Sequence, residues 1–572
     1  MKLIISYIRR HLMGFCLAIL FLVIESFCDL MQPMMMSKIV DDAVASGNAT
    51  LVLKLGMMML GIALIGAAGA VGRNYFAGHI SQTIGKEMRS ELYRKIQSFS
   101  FENIDHLETA SLITRITNDV AQIQNFINGC MRILVKAPII CIGAIGFIII
   151  QTPAQIPVVV CILVIATVLI IGNMKLGYPR FRKVQIKLDA LNDVSRSYLN
   201  LVRVVKAFGQ EEQEKERFGE VADELAVANQ SAMRVNAVFN PLISLVVNLG
   251  IVVLLWTAGY EGRDIEIGKL MASVNYMTQV LFALGMVSNI LNNMIRANAS
   301  ASRVKEVLEE VPAMIETTKD REIDLVEGIS FEDVSFHYPS TKEYTLEHIT
   351  FHIPRGKTCG IIGSTGSGKT TLIQLLLRFY DTTGGKIKVG KQDVKEVKLK
   401  ALREKMALVS QKALLFSGTI ESNLRWGQPG VSEEKLKEAI RISQCEGFIA
   451  DLDQGLQTVL GQGGINLSGG QKQRLSLARA LVKDPEILIL DDCTSALDAT
   501  TEAKVLQGIS AYAKGMTTFL ITQRISTVMK ADYILCLENG KLVGKGTHEE
   551  LMEKCSIYQE IYESQIGGEQ VG

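Results

Sequence analysis

Cysteines at metal-binding spacing are missing from this sequence. Its ten cysteines are scattered, with no CxxC pair and no zinc-like arrangement, so neither a structural zinc site nor a disulfide framework is expected. Cys16, Cys141 and Cys161 lie inside apolar runs, where the thiol acts as a small buried hydrophobe. Excess charge is missing too. A formal net charge of +1 leaves no concentrated basic face, so no nucleic-acid partner is expected. The first apolar stretch has no small-residue cleavage site and continues through "DLMQPMMMSKIV", which argues for a retained span rather than a cleaved signal.

What the chain has in abundance is apolar length. Hydrophobic residues make up 48% and charged residues 21% of 572, and the charges are sparse in the first half and dense in the second. That asymmetry predicts a membrane part followed by a soluble part. Six stretches approach the ~20 apolar residues that a helical span needs: about 12–35, 55–77, 133–151, 156–175, 242–260 and 270–292. Lys2, Arg9 and Arg10 precede the first. Lys86, Arg89, Arg94, Lys95 and Arg115 fill the second connection, and Arg180, Arg182, Lys183, Lys187, Arg203 and Lys206 the fourth. Basic connections stay inside, so both termini and these connections are expected in the cytoplasm.

Connections two and four, roughly 78–130 and 176–241, are long, charged and helically patterned. They read as helices continuing into the cytosol, with turns near "IDHLETASLITRI" and "NLVRVVKAFGQEE" that could dock on a soluble domain. Ionisable groups inside spans are costly and usually functional. Glu25 and Asp29 stand four apart on one face of the first span, either as a cation or proton site or as partners of a neighbouring helix. On the sixth span Asn275, Gln279, Phe282, Met286, Asn289 and Asn293 recur at three- and four-residue steps. This stripe suits a tolerant binding wall, and interhelical hydrogen bonding is the competing reading.

The soluble half alternates strands and helices. "GSTGSGKT", Gly363 to Thr370, lies between the strand-like "TCGII" and the helical "TLIQLLLRF", the context that a phosphate-binding loop requires. Gly363, Gly366 and Gly368 permit the tight turn, while backbone N–H groups of Ser364, Thr365 and Ser367 face phosphate oxygens. Lys369 adds charge, and Thr370 and Thr371 open the helix behind it. In "EILILDDC", four apolar residues deliver Asp491 as a magnesium-binding carboxylate, followed by Asp492.

"LSGGQKQR", Leu467 to Arg474, closely resembles the signature of ATP-binding cassette (ABC) proteins, and further marks follow in that family's order. Tyr338 in "FHYP" looks like the aromatic that stacks on adenine. Gln411 in "LVSQ" resembles the glutamine that senses magnesium and the membrane domain. "SALD", Ser495 to Asp498, resembles the loop that crosses between paired cassettes. The resemblance covers essentially the whole chain as an ABC exporter half-transporter. It implies a membrane α-helical bundle of six transmembrane helices with long intracellular extensions, fused to an α/β P-loop ABC nucleotide-binding domain. The expected division is a transmembrane domain over 1–310, a linker over 311–328 and the ATP-binding domain over 329–572. The implied cofactors are ATP and Mg2+, with Thr370, Gln411 and Asp491 at the metal. Ser468, Gly469, Gly470 and Gln471 would meet the γ-phosphate held by a second chain.

Three departures from that family stand out, the third a pair of residues. Asp492 stands at the usual glutamate, one methylene or ~1.5 Å short, and a displacement near 1 Å can cost about a hundredfold in rate. Gln523 stands where a histidine is general, and Gln462 and Gly463 replace a common Glu-Arg pair. LSGGQ is intact. The pattern resembles the degenerate-site subunit of bacterial heterodimeric multidrug ABC exporters, in the cytoplasmic membrane. The partners so implied are a second half-transporter, membrane lipid and an amphipathic drug or lipid as substrate. The alternatives are a homodimeric lipid or peptide exporter, or a nucleotide-gated regulator or channel subunit.

Overall fold

The computed structural model describes residues 1–153, 156–260, 266–314, 317 and 324–566. Its contacts define two units. One is Met1–Gln97 with Thr109–Glu310; the other is Ser98–Glu108 with Val311–Gly572. Part of the expected linker, 315–316 and 318–323, lies outside the described residues.

The first unit is helical. Helices Leu12–Lys38, Ala49–Gln97, Lys136–Gln151, Ile156–Phe208, Glu211–Tyr260 and Ile267–Glu309 form its body. At 1.5 Å per residue the 53 residues of Ile156–Phe208 reach about 80 Å, against a hydrocarbon core of about 30 Å. The polar ends therefore run well beyond a membrane. Helices Ile156–Phe208 and Glu211–Tyr260 lie along one another and fold back at Gly209, whose φ of 61° glycine tolerates at little cost. Lys187 and Glu224 pair at 2.5 Å across this hairpin, supplying the packing surface that such long helices need.

Among the described residues, five helical stretches are long and apolar enough to cross a membrane: Leu12–Val44, Ala49–Gln97, Thr109–Gln151, Ile156–Phe208 and Glu211–Thr257. The sixth expected span falls in Ile267–Glu309, which is not among the five and in which the side chains of 284 and 287–292 lie outside the described residues. Asp41 caps that helix from another part of the chain, accepting from the backbone N–H of Gly268 at 2.6 Å and of Lys269 at 2.9 Å.

The second unit contains strands β1 (Ile329–Phe336), β2 (Leu346–Ile353), β3 (Thr358–Gly363), β4 (Gly384–Val389), β5 (Gln392–Asp393), β6 (Met406–Val409), β7 (Gly418–Thr419), β8 (Val459–Leu460), β9 (Ile487–Asp491), β10 (Thr517–Ile521), β11 (Tyr533–Glu538) and β12 (Lys541–Gly546). A mixed sheet runs β12-β11-β3-β10-β9-β6 and an antiparallel one β2-β1-β4-β5. In the six-stranded sheet β11, β3, β10, β9 and β6 are parallel, and β12 is an antiparallel edge. Parallel strands covered on both faces read as unbroken apolar runs, and all five residues of β9 are buried. Residues 487–490 thereby meet both cores, Ile487 and Ile489 facing one and Leu488 and Leu490 the other.

Candidate nucleotide site

Four neighbouring parallel strands, β3, β10, β9 and β6, end on the same side. In open α/β sheets ligands bind beyond the carboxyl ends of the strands. The glycine-rich loop follows β3, Thr522 and Gln523 follow β10, Asp491 and Asp492 close β9, and Gln411 lies just past β6. One cavity of about 310 Å³ is lined by Lys369, Thr370, Gln411, Asp491, Asp492 and Gln523, among others.

The glycine-rich loop closes on helix Lys369–Leu376. Gly368 caps it at φ 96°, and a Cβ there would come within 2.6 Å of Leu346 Cδ2, so only glycine fits. Ser364, Thr365 and Gly366 stand exposed in the loop and Ser367 is buried beneath it. Lys369 Nζ donates to the carbonyls of Gly363 at 2.8 Å and Ser364 at 2.6 Å, which fixes a positive charge inside the loop. Burial pulls the Lys369 ammonium below the ordinary lysine range, against the opposing pull of Asp491 and Asp492. Burial pushes the Asp491 carboxyl up, with Asp492 adding to it and Thr370 and Lys369 acting the other way. Thr370 Oγ1 lies 3.4 Å from Asp491 Oδ2. Hydroxyl, carboxylate and amide oxygen form a hard-oxygen set of the kind magnesium takes together with water and phosphate.

Asp492 turns sharply out of the strand. Its φ is 45°, a left-handed conformation in which aspartate is several-fold enriched. Its N–H donates to Ile521 O at 2.7 Å, and Gln411 Nε2 donates to its Oδ2 at 3.1 Å. Ser495 Oγ also donates to its carbonyl at 3.0 Å, so the residue is held at the cavity by backbone and side chain. Gln523 is exposed at the rim.

The signature segment is elsewhere. Ser468 caps helix Gly469–Val482 in a capping box: its Oγ accepts from Gln471 N–H at 3.3 Å, and Gln471 Oε1 accepts from Ser468 N–H at 2.8 Å. A Cβ on Gly470 would lie 3.0 Å from Ala496 O, so helix and SALD loop touch through backbone. Ser468, Gly469, Gly470 and Gln471 are not among the residues lining this chain's cavity. Gln462 and Gly463 stand exposed in a short turn ahead of them.

Tyr338 does not line the cavity either. Its hydroxyl is 3.0 Å from Thr371 Oγ1 and donates to Gln374 at 2.9 Å, which seats the ring against the phosphate-loop helix. The ring edge-packs with Phe336 and with Tyr380, centroids 5.0 and 5.3 Å away.

Several participants are not singled out by the sequence. Gln473, buried, accepts from Ala496 N–H at 3.0 Å and donates to Ser495 Oγ at 3.2 Å, tying the signature helix to the SALD loop; it lies inside the quoted octet, which is the signal that points to it. Helix Phe101–Leu107 reaches into the turn "IDHLETASLITRI", for which the sequence predicts docking, and it belongs to the cassette unit; its individual partners are what the sequence does not mark. Phe101 packs on Phe379 at 4.5 Å, Tyr380 donates to Asp105 at 2.6 Å, and Asn103 holds Val311 O and Ala313 N–H. Asp105, Tyr380, Tyr338 and Thr371 therefore form one contact chain from this turn to the phosphate loop.

In the helical unit, Glu25 bridges Arg73 Nε and Lys136 Nζ, both at 2.7 Å, and Asp29 meets Lys136 at 2.9 Å. Pairing with neighbouring helices is thus the contact that the structure shows for these two carboxylates. Asp29, Asn275, Gln279, Phe282 and Met286 line one cavity of about 760 Å³; the side chain of Asn289 lies outside the described residues.

Comparison with known proteins gives a consistent result. Residues 15–284 match the family description "ABC transporter transmembrane region", and residues 346–495 match "ABC transporter". The chain is 37% identical over 583 residues to an uncharacterized ABC transporter ATP-binding protein, YfiB, of Bacillus subtilis (strain 168), covering 100% of this chain and 99% of that one. It is 29% identical to an ATP-dependent lipid A-core flippase of Syntrophus aciditrophicus, over 100% and 95%. The structure of a bacterial Atm1-family ABC exporter with ATP bound superposes with a TM-score of 0.77 at 25% identity, covering 98% of each chain.

Proposed function

The chain belongs to the ABC transporter family, and from that premise we propose that it is the degenerate-site half of a heterodimeric exporter that moves amphipathic drugs or lipids outward. It is a membrane protein with a cytoplasmic ATP-binding domain, an exporter whose ATP hydrolysis is coupled to transport. The proposed layout is the expected one: six spans within 1–310, a linker over 311–328 and the cassette over 329–572. A relative that is a lipid flippase favours lipids within the substrate class.

In this reading the loop amides and Lys369 bind the phosphates of ATP, Tyr338 seats the base, and Thr370, Asp491 and Gln411 would hold Mg2+. When bound, Mg2+ would supply charge neutralisation for the phosphates that these residues hold. Asp492, short by one methylene, orients water poorly, and the Gln523 amide cannot carry the positive charge of an imidazole. Ser468, Gly469 and Gly470 offer a hydroxyl and a helix N-terminus to the partner's γ-phosphate. The observation that carries this reading is the asymmetry at the two edges: the hydrolytic positions are altered where the signature is whole, and the signature lies apart from the chain's own cavity.

The test is 8-azido-ATP labelling and phosphate release for the chain alone and for the complex it forms in the membrane. Labelling of the lone chain without turnover supports the reading, and full turnover by the lone chain refutes it. Gln411 holding Asp492 at the cavity is the one contact that favours the homodimer, in which this aspartate would act as a slow base.

A further inference from the structure

The 760 Å³ cavity of the helical unit has the volume of a drug-sized site, and its charges are unequally matched. Around it stand three cationic side chains, Arg73, Arg132 and Lys136, and two anionic ones, Glu25 and Asp29. Both carboxylates are engaged: Glu25, 9% exposed, bridges Arg73 and Lys136, and Asp29 faces Lys136. Arg132 makes no hydrogen bond or ion pair among the described residues and is exposed towards the cavity. It lies in the π-helical turn Cys130–Leu134, just ahead of the helix that Lys136 opens.

A guanidinium beside hydrocarbon is costly unless an anion meets it, and the protein supplies none among the described residues. A cation approaching Asp29 would come up against Lys136 at 2.9 Å, with Arg73 and Arg132 on the same wall, so like charge repels it. Gln279 lies there too, its buried Oε1 without a partner among the described residues; an amide can present either acceptor or donor. The remaining wall includes Met36, Met59, Phe282 and Met286, a soft apolar surface that accepts tails of varied shape.

We propose that this cavity selects amphiphiles carrying an anionic head, phosphate or carboxylate, with Arg132 as the residue that reads the charge. The proposal rests on the reading of the chain as an exporter of amphiphiles and narrows the class. Phosphate chemistry could arrive as a bilayer lipid or as a free amphiphile, and the experiment separates these.

The full complex is placed in phosphatidylcholine nanodiscs with photoreactive diazirine analogues of dodecyl phosphate, dodecyltrimethylammonium or dodecyl maltoside, and the labelled residues are mapped by mass spectrometry. Dodecyl phosphate should label near Phe282 and Met286 most strongly. Arg132→Glu should lower that labelling about tenfold and raise that of the ammonium probe, Arg132→Gln should lower it less, and Arg132→Lys should restore it. Phosphatidylglycerol nanodiscs that displace the phosphate probe identify a bilayer lipid as the occupant. Persistence of labelling identifies a free amphiphile, and both results support anionic selection. Equal labelling by all three probes, indifferent to Arg132→Glu, overturns the selection while leaving the amphiphile reading intact. No labelling of this wall by any probe, in a complex that still turns ATP over, overturns both.

Discussion

The two edges of the cassette are built from the same materials and differ in what surrounds them. Each presents a helix N-terminus: one behind the glycine-rich loop at Lys369–Leu376, the other at Gly469–Val482 with Ser468 in a full capping box. Around the first stand Asp492 and Gln523, the two positions that the proposed reading takes to hydrolyse poorly. Around the second, every group that would meet a γ-phosphate is present, and Gly470 against Ala496 and Gln473 against the SALD loop fix its position. Binding needs amides and charge, which tolerate a shortened neighbour, whereas hydrolysis needs a water within a fraction of an ångström. One edge can therefore lose catalysis while keeping nucleotide affinity.

The strongest way to break this comparison is Ser468→Arg, which puts a large cation where the hydroxyl and helix terminus stand. Turnover of the complex should fall by about a thousandfold, the scale for losing preorganised donors, while 8-azido-ATP labelling of this chain persists. Retained turnover would mean that the signature edge serves no site. Asp492→Glu combined with Gln523→His sharpens the other side. In a complex whose partner site has been disabled, phosphate release should rise by about a hundredfold.

Asp491→Asn separates metal binding from stability. Burial raises the Asp491 carboxyl above its ordinary value, so the fold favours its neutral form. Its contribution is full below the unfolded-state value and is lost as pH rises through the folded one. At neutral pH the charge costs stability, and the asparagine variant should melt higher without nucleotide and lose its Mg2+-dependent gain. The wild-type affinity for Mg-ATP should begin to fall, on acidification, at a pH where an exposed aspartate is still charged. Tyr380→Phe is the mildest change. It removes the hydrogen bond to Asp105 and keeps the ring on Tyr338, so thermal melting should show a loss of about 1 kcal/mol with little change in ATP affinity.

Much of the cassette edge was legible because local pattern and chemistry coincide there. An apolar run ending in Asp491, glycines before Lys369 and a serine before a helix each state their conformation in a few residues. What stayed hidden depends on partners far off in the chain. Tyr380 meets Asp105 across 275 positions; Asp105 lies in the turn "IDHLETASLITRI" that could dock on a soluble domain, but nothing local marks Tyr380 as its partner. Glu25 and Asp29 stood out as charges in a span, yet their counterions lie on two other helices, at Arg73 and Lys136; hydropathy counts such charges without pairing them.

The measurement that bears most directly on the difference between the two edges is steady-state ATP turnover of the purified chain, alone and in its native complex, each with and without Asp492→Glu. A nearly inactive lone chain, gaining turnover with glutamate, and an active complex that depends on Ser468 are the predicted results. A lone chain that turns ATP over at the full rate of the complex would show that Asp492 is a competent catalytic residue, and would contradict the assignment of a degenerate edge.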